Sequence, residues 1–168
     1  KALQELGPTF IKFGQALSTR SDLLGEDVAA DLSELQDHLP PFSAAEARII
    51  IEGEMKAPVE DIFADFTWEP IAAASIAQVH FAVTSEGEEV AVKVLRPNVE
   101  EAFSKDMALF KWIARLIERS RPELRRLKPV EVIKTFEETI RLEMDLRLEA
   151  AAAQELAENF ANDNDFRV

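Results

Sequence analysis

A run of small and apolar residues followed by a hairpin signal constrains this chain more than any other feature. Residues 70–80 read Pro-Ile-Ala-Ala-Ala-Ser-Ile-Ala-Gln-Val-His, and Val90-Ala91-Val92-Lys93 begins ten residues after His80. Ser85-Glu86-Gly87 supplies a turn between the two segments. The pattern predicts extended segments at residues 66–70, 75–83 and 88–95, joined first by a turn of small residues and then by a hairpin.

The small-residue turn, made of Ala72, Ala73, Ala74 and Ser75, is a candidate phosphate-binding loop. Backbone N–H groups bind phosphates where the chain can approach closely, which glycine usually permits because it has no Cβ atom. Alanine keeps the close approach and narrows the accessible conformations, so this loop is expected to be stiffer than a glycine-rich one. A strand edge at which small residues let a helix pack explains the same residues equally well.

Lys93 favours the phosphate interpretation. In a strand, Val90 and Val92 share one face, while Ala91 and Lys93 share the other. A small side chain at Ala91 leaves room for a purine ring, and the nearby ammonium group can reach phosphate oxygens. A lysine at a strand end is often merely exposed to solvent, but its position after the alanine turn favours a nucleotide site.

Helical patterns flank the predicted sheet. Ser43 and Glu46 form a candidate capping box, and one long helix is predicted from about Val130 to Asn159 after Pro129. Phe166–Val168 could begin a further strand. Apolar residues recur at helical spacing in two other segments: Phe10, Phe13 and Leu17, and then Met107, Phe110, Ile113, Ala114 and Ile117.

Three carboxylates on the last predicted helix are candidate partners for a lysine. In a kinase-like site, the strand lysine is oriented by a carboxylate that a helix carries. The helix offers Glu143, Asp145 and Glu149. Asp145 and Glu149 share a face of a regular helix, whereas Glu143 lies about 200° around the axis from Asp145. One lysine cannot meet all three, so a second basic partner is required.

Lys12 is the candidate for that second partner. Lys12, Gln15 and Thr19 occupy one face of the first predicted helix. Gly14 lies between them and would let a neighbouring element approach closely. A helix face that carries a lysine and a glutamine is also typical of simple solvent exposure.

Composition narrows the classes of partner. The net charge of −13 argues against binding of nucleic acid by the chain as a whole. Residues 111–128 are locally basic, which we interpret as a solvated helix face rather than a phosphate or lipid-headgroup patch. The absence of cysteine excludes disulfides and thiolate sites. No run approaches the roughly 18 apolar residues of a membrane span, and no signal-peptide pattern is present.

Four motifs in this order resemble the UbiB family of atypical protein-kinase-like proteins, called ADCK proteins in animals. Lys12-Phe13-Gly14-Gln15 matches the KxGQ motif, and Ala72-Ala73-Ala74-Ser75 matches the alanine-rich loop. Lys93 matches the strand lysine, and Glu143-Met144-Asp145 matches the ExD motif. The resemblance implies an α+β fold, in which a helical extension (residues 1–66) packs on a kinase-like N-lobe (residues 67–168) with a small antiparallel sheet, an inserted helix and an αC-like helix.

The resemblance also implies roles for these residues. The alanine loop, Ala91, Lys93 and Glu149 are expected to contact nucleotide, with Lys93 paired to Glu149. The extension is expected to occlude the cleft in which a protein substrate would bind, with Lys12, Gly14 and Gln15 facing Glu143 and Asp145.

The implied cofactor is ATP with Mg²⁺. The magnesium ligands and the catalytic Asp and Asn of kinases belong to a second lobe (C-lobe), and this chain contains no motif for them. The chain alone is therefore expected to hold no metal and to have no turnover.

The resemblance implies a role in ubiquinone biosynthesis, with action on a small molecule or lipid rather than on protein. Expected partners are ATP and isoprenoid quinone precursors or other quinone-biosynthesis proteins. The expected location is the cytoplasm or the periphery of the inner face of a bacterial membrane, or mitochondria in a eukaryote. Ala152 departs from the family's usual asparagine. Two alternatives stay open: an isoprenoid-lipid or partner-binding module around Phe10, Phe13 and Leu17, and a protein-directed kinase lobe.

Overall fold

The computed structural model describes residues 6–33, 39–161 and 163 of the 168-residue chain. The backbone forms two compact units, residues 1–106 and residues 107–168, and the division falls within one long helix. The boundary predicted near Phe66 rests on the change from helix to sheet, and it stays a prediction. The further strand suggested at Phe166–Val168 lies outside the described residues.

Three helices begin the first unit: α1 (Pro8–Ser18), α2 (Ser21–Leu24) and α3 (Glu26–Ser33). Pro8 lies in the first turn of α1, where its missing N–H costs no hydrogen bond. Ile11 and Gly14 are buried on α1, and Ala29 is buried on α3, which packs against α1. The buried residues of α1 therefore differ from the predicted apolar set Phe10, Phe13 and Leu17, which is half-buried.

Two helices precede the sheet: α4 (Ala44–Met55) and α5 (Val59–Ile62). The Ser43 hydroxyl oxygen accepts a hydrogen bond from the Glu46 N–H at 3.2 Å, and a Glu46 carboxylate oxygen accepts one from the Ser43 N–H at 3.0 Å. The capping box predicted from these two residues is therefore confirmed. The chain leaves α4 through Lys56, which has the left-handed conformation (φ 57°).

Four antiparallel strands form the sheet: β1 (Phe63–Phe66), β2 (Ala72–Ala73), β3 (Ala77–Thr84) and β4 (Glu89–Leu95). β3 is central, because β4 pairs along one of its edges while β1 and β2 pair in succession along the other. The predicted turn at residues 85–87 joins β3 to β4, and Gly87 takes φ 88°, a conformation that glycine adopts without strain.

The strand predicted at residues 66–70 is wrong. The Thr67 N–H donates to the Phe81 carbonyl at 2.9 Å, and the Ile71 N–H donates to the Val79 carbonyl at 2.8 Å. Between these two hydrogen bonds the chain advances four residues, from Thr67 to Ile71, whereas β3 advances two, from Val79 to Phe81. The extra residues form a bulge. Pro70 lies inside the bulge, where its missing N–H interrupts no ladder bond. The prediction failed because apolar residues continue through a segment that leaves the sheet.

The two faces of the sheet differ in burial. One face, which we call the buried face, carries Gln78, His80, Ala82 and Val94, each at most 4% exposed. It continues into a cluster of apolar side chains: Ile51 and Val59, with Phe42, Ile50, Phe63, Phe66, Trp68 and Val92. The other face, which we call the open face, carries half-buried Lys93 and exposed Ala91. The alternation predicted for β4 from its sequence agrees with this arrangement.

The second unit is helical. It contains most of α6 (Val99–Ser120), a 3₁₀ segment (Pro122–Leu127), α7 (Pro129–Met144) and α8 (Leu146–Asn159). An ion pair of 2.6 Å between Lys111 Nζ and Glu137 Oε2 joins α6 to α7. The buried side chains recur at helical spacing on both helices: Met107, Phe110 and Ala114 on α6, and Ile133, Phe136, Ile140 and Met144 on α7.

The single helix predicted from about Val130 to Asn159 is wrong. Asp145 has φ −84° and ψ 86°, so α7 ends at Met144 and α8 begins at Leu146. The Asp145 carboxylate accepts a hydrogen bond from the Arg147 N–H at 3.2 Å, as an N-cap residue does. Aspartate competes with the helix for backbone hydrogen bonds, and here that local preference outweighs the continuous apolar spacing.

The predicted α+β class is confirmed, with a small antiparallel sheet among many helices. None of the helices in the described ranges combines the length and the apolar character that a bilayer span requires.

Candidate functional site

The open face of the sheet brings several predicted site residues together. Ala72, Val79 and Lys93 are cross-strand partners, so they form one row across β2, β3 and β4. Ala91 lies two residues before Lys93 on the same face of β4, opposite Phe81. Two of the neighbours of Lys93, Ala72 and Ala91, have small side chains, and both are exposed. A flat ligand with negative groups fits this combination of small residues and one cation.

The alanine loop is more ordered than its composition indicates. Ala72 and Ala73 belong to β2 and pair with Val79 and Gln78. The Ala74 N–H donates to the Ala77 carbonyl at 2.8 Å, which closes a tight turn. Ser75 is fully buried within this turn. Two of the predicted loop residues, Ala72 and Ala73, are thus strand residues. The Ala74 N–H is already used in the hydrogen bond that closes the turn.

Arg96, one residue after β4, hydrogen-bonds the turn at Ala74, and no sequence pattern marks it as a site residue. Its Nε and Nη2 atoms both donate to the Ala74 carbonyl, at 3.0 and 2.9 Å. Its N–H donates to the Ile76 carbonyl at 2.9 Å. A single arginine before a proline carries no pattern in sequence, since the acceptors are backbone groups 20 or more positions away along the chain.

The same guanidinium also reaches the segment that leads into α4. Arg96 Nη2 donates to the Pro40 carbonyl at 3.0 Å and lies 3.4 Å from the Leu39 carbonyl. The guanidinium carbon lies 5.8 Å from the centre of the Phe42 ring. The alanine turn and residues 39–42 are therefore held by one side chain.

A hydrogen-bonded chain on the buried face fixes the other end of that segment. The Phe42 N–H donates to Gln78 Oε1 at 3.0 Å, and Gln78 Nε2 lies 2.9 Å from His80 Nε2. His80 Nδ1 lies 2.9 Å from the Thr67 carbonyl, which can only accept. These partners require a neutral His80 with its proton on Nδ1, so that Nε2 accepts from the Gln78 amide. The buried side chains of Gln78 and His80 are thus satisfied by each other and by two backbone groups.

The KxGQ residues lie on α1. Gly14 is buried, while Lys12 and Gln15 are half-buried on the same helix. Thr19 ends the helix and bonds the Ala16 carbonyl through its hydroxyl group at 2.8 Å, so it belongs to the end of α1 rather than to the predicted polar face. Burial of Gly14 agrees with the expectation of close packing at this position.

The three carboxylates lie in the second unit, around the break between α7 and α8. Glu143 is exposed near the end of α7, and Glu149 is exposed in the first turn of α8. Because the helix breaks at Asp145, the regular i, i+4 relation predicted for Asp145 and Glu149 does not apply. The argument for Lys12 as a second basic partner relied on one regular helix, so it no longer holds. The family resemblance is the support that remains for this pairing.

Asp145 is held locally by Arg147. Arg147 Nε donates to one Asp145 carboxylate oxygen at 2.8 Å, and Nη2 donates to the other at 2.7 Å. These hydrogen bonds from the guanidinium hold the pKa of the Asp145 carboxyl below its ordinary value. The Asp145 carboxylate is thus ionised and oriented by its own helix.

The structure brings Ala72, Ala91 and Lys93 to one surface of the first unit. Glu149, Glu143 and Asp145 belong to the second unit, so the pairing of Lys93 with Glu149, and of Lys12 and Gln15 with the ExD carboxylates, stays a prediction. Among the described residues, no group of three or more His, Asp or Glu side chains is placed to hold a metal ion.

Comparison with known proteins identifies the family of this fold. Residues 34–168 match the family model described as the ABC1 atypical kinase-like domain. The chain belongs to the ABC1 atypical kinase-like family. The resemblance to UbiB proteins, inferred above from four motifs, is confirmed, because relatives named "Probable protein kinase UbiB" align with nearly the whole chain.

Three such relatives show the extent of the similarity. The protein from Marinobacter nauticus is 50% identical over 161 residues, covering 96% of this chain and 29% of the relative. The protein from Pseudomonas aeruginosa is 54% identical over 159 residues, covering 95% and 30%. The protein from Vibrio cholerae is 48% identical over 168 residues, covering 99% and 31%. The chain therefore spans about 30% of the length of these ABC1 relatives.

A solved structure shares the fold of this chain. Rv3197 from Mycobacterium tuberculosis, solved in complex with erythromycin, matches with a TM-score of 0.61 at 30% identity. The match covers 90% of this chain and 38% of that one. The chain thus aligns with part of a longer solved chain.

Proposed function

We propose that this chain is the amino-terminal, nucleotide-binding part of an atypical kinase or ATPase that supports ubiquinone biosynthesis. The main support is the row of Ala72, Val79 and Lys93 on the open face of the sheet, directly beside the alanine turn. UbiB-named relatives supply the link to ubiquinone through their name. The substrate class that we propose is a small molecule or a lipid rather than a protein.

The ligand that fits the open face is ATP. The Lys93 ammonium group would bind phosphate oxygens, and the small side chains of Ala91 and Ala72 leave space for a purine ring. When Mg²⁺ is bound with ATP, it supplies charge neutralisation at the phosphates. Its ligands would come from kinase motifs that this sequence does not contain, so we expect nucleotide binding without turnover by these 168 residues.

The carboxylate partners follow from the family resemblance. We propose that Glu149 pairs with Lys93 in the complete protein, and that Lys12 and Gln15 face Glu143 and Asp145. A local observation limits the second pairing, because Arg147 already occupies both oxygens of Asp145. Lys12 would therefore compete with Arg147 for this carboxylate rather than meet an empty one.

A titration with a fluorescent ADP analogue tests the nucleotide proposal. Lys93→Met should weaken binding about tenfold or more, since a charge-assisted contact to phosphate is removed. Lys105→Met is the matched control, because Lys105 is an exposed lysine on α6 that pairs with Glu101. Equal affinity of the wild type and Lys93→Met would contradict the proposal, as would phosphate release by the chain alone that depends on Lys93.

An exposed apolar stripe on α6 favours one further property, contact with a lipid surface. Leu109, Trp112, Ile113 and Leu116 are between 38% and 61% exposed and share one side of the helix. Arg115 and Arg119 lie beside the stripe and are exposed. They belong to the basic segment that sequence alone favours as a solvated face, and the apolar stripe beside them is the observation that changes this interpretation. An apolar stripe with a tryptophan and flanking arginines is typical of helices that lie in a membrane interface. We therefore propose peripheral binding to anionic membrane, at the inner face in a bacterium.

Sedimentation with lipid vesicles tests this second property. The chain should bind vesicles that contain phosphatidylglycerol and should not bind vesicles of phosphatidylcholine alone. Trp112→Ser should reduce the bound fraction several-fold, whereas Leu142→Ser, at an exposed leucine on α7, should not. Binding that is unchanged by Trp112→Ser would show that the stripe is not the contact.

The alternative of an isoprenoid-binding module around α1 gains less support. Phe10, Phe13 and Leu17 are half-buried in the first unit, which favours packing over an open groove for a lipid tail. Binding of a quinone precursor that is lost on Phe13→Asp, without unfolding and without sensitivity to ATP analogues, would restore this alternative.

A further inference from the structure

Arg96 joins two segments that are far apart in the sequence. It bonds the alanine turn through the Ala74 carbonyl and the incoming segment through the Pro40 carbonyl. These acceptors lie 22 and 56 residues away along the chain. One half-buried guanidinium therefore fixes the distance between the turn and residues 39–42, which lead into α4.

The contact on the turn side determines a peptide orientation. Two donors from one guanidinium converge on the Ala74 carbonyl, so its direction is set more firmly than by a single hydrogen bond. Because a trans peptide is planar, the plane between Ala74 and Ser75 is fixed as well. The Ala74 N–H is held by the Ala77 carbonyl at the same time. The conformation of the turn is thus fixed by hydrogen bonds from Arg96, which lies on the side away from the open face.

The contact on the other side is equally anchored. Residues 39–42 are held at one end by Arg96 and at the other by Gln78, which binds the Phe42 N–H. The Phe42 side chain packs against the apolar cluster beneath the buried face. The segment cannot shift without breaking the contacts of Arg96, Gln78 or both.

We propose that Arg96 is a positioning residue that couples residues 39–42 to the alanine turn, so that displacement of the segment loosens the turn and weakens nucleotide binding. The role in nucleotide binding rests on the proposed function, whereas the mechanical coupling does not. Lysine cannot replace arginine here, because one ammonium group lacks the planar fork that spans the Ala74 and Pro40 carbonyls.

Amide hydrogen exchange measured by NMR on the full chain tests the coupling without any ligand. In Arg96→Met, the amides of Ala74 and Phe42 should both exchange at least about tenfold faster, although Arg96 bonds neither N–H group. Arg96→Lys should give most of the same increase. Arg48→Met is the control, because Arg48 pairs with Glu60 and stacks on Trp68 in the same unit without touching the turn.

A second variant tests the coupling by changing residues 39–42 while Arg96 is kept. Pro40→Gly keeps the carbonyl acceptor at an exposed position and makes the segment more flexible. It should raise exchange at Ala74, while Pro58→Gly, at the exposed residue before α5, should not. If Ala74 exchange is unchanged in both Pro40→Gly and Arg96→Met, the coupling is refuted.

Titration with the fluorescent ADP analogue then tests the functional consequence. Arg96→Met should bind about tenfold more weakly than the wild type, because the turn must be ordered on binding. Faster exchange with unchanged nucleotide affinity would overturn the functional half of the inference alone. A wild-type chain that binds no nucleotide would overturn the proposed function and with it that half, while the exchange data would still decide the coupling.

Discussion

Arg96 and Arg147 make similar hydrogen bonds with very different consequences. Each guanidinium uses Nε and Nη2 together, Arg96 on the Ala74 carbonyl and Arg147 on the two oxygens of Asp145. Arg96 is half-buried and its acceptors are distant in sequence, whereas the Arg147 side chain is 90% exposed and its partner is two residues away. The first arginine joins distant segments, whereas the second orients the carboxylate of the aspartate that caps α8.

The difference shows that sequence separation and burial, rather than the type of bond, decide what a polar contact contributes. A local exposed pair forms with little loss of chain entropy but competes with water and is screened by salt. A half-buried contact between residues distant in sequence is less accessible to water. When one partner is removed, the other polar group is therefore left poorly satisfied. Polar contacts of this protein can therefore be ranked, and each step of the ranking can be tested.

The largest effect is expected at Gln78, whose side chain extends the anchoring of residues 39–42 into the buried face. Gln78→Leu removes the acceptor of the Phe42 N–H and the donor to His80 Nε2, and both groups stay buried. The free energy of unfolding should fall by about 2–4 kcal/mol. Urea denaturation followed by circular dichroism measures the change.

A glutamine outside this chain of bonds serves as the control for Gln78. Gln154 bonds Glu158 at 3.1 Å on the exposed surface of α8. Gln154→Leu should change the free energy of unfolding by no more than about 0.5 kcal/mol. Comparable losses in the two variants would show that burial does not rank polar contacts in this protein.

An intermediate effect is expected at the ion pair between α6 and α7. The hydrogen bond from Lys111 lowers the pKa of the Glu137 carboxyl below its ordinary value of 4.5. A lowered carboxyl pKa stabilises the folded state above about pH 4.5, and this contribution disappears as the pH falls through the lower folded-state value. Lys111→Met should therefore lower Tm by about 2–4 °C at pH 7, and this difference should shrink as the pH falls below 4.5.

The corresponding control is the fully exposed pair of Lys105 and Glu101 on α6. Lys105→Met should shift Tm by less than Lys111→Met at pH 7, because water screens the exposed pair. A shift at Lys111→Met that stays constant as Glu137 is titrated to its protonated form would show that lost packing, and not the ion pair, causes the destabilisation.

What could be predicted from sequence follows the same division between local and distant contacts. The Ser43 capping box and the hairpin at Gly87 were predicted because each depends on residues within a few positions. The open face of β4 was predicted from simple alternation. Arg96 was missed because its acceptors are backbone carbonyls, which every residue type provides, so no spacing of side chains announces them.

The break at Asp145 was missed for a different reason. The apolar spacing of α7 and α8 is nearly continuous through residue 145, so periodicity alone predicts one helix. The signal was present in the aspartate itself, because this residue is favoured at helix N-caps and unfavourable inside helices. The error mattered for the candidate site, since it produced a helix phase for Asp145 and Glu149 that the backbone does not have.

The smallest effect on stability is expected at Arg147, and its clearest readout is a titration. Arg147→Met removes the guanidinium that lowers the Asp145 pKa, so the carboxyl pKa should rise towards its ordinary value of 3.8. It should not rise fully, because the N–H of residue 147 still donates to the same carboxylate as an N-cap bond. Tm at pH 7 should be unchanged within error, since Asp145 stays ionised and α8 keeps its cap.

NMR titration of the Asp145 side-chain carboxyl carbon measures this shift, and Arg141→Met on α7 is the control that should leave it unmoved. A large fall in Tm on Arg147→Met would contradict the ranking, because an exposed ion pair between residues two positions apart would then contribute strongly to stability. If the Asp145 pKa did not rise, the Arg147 guanidinium would not be the group that lowers it, and the N-cap bond or another cation would be. Repeating the titration in Lys12→Met would then separate these two explanations, because only the proposed pairing with Lys12 predicts a rise.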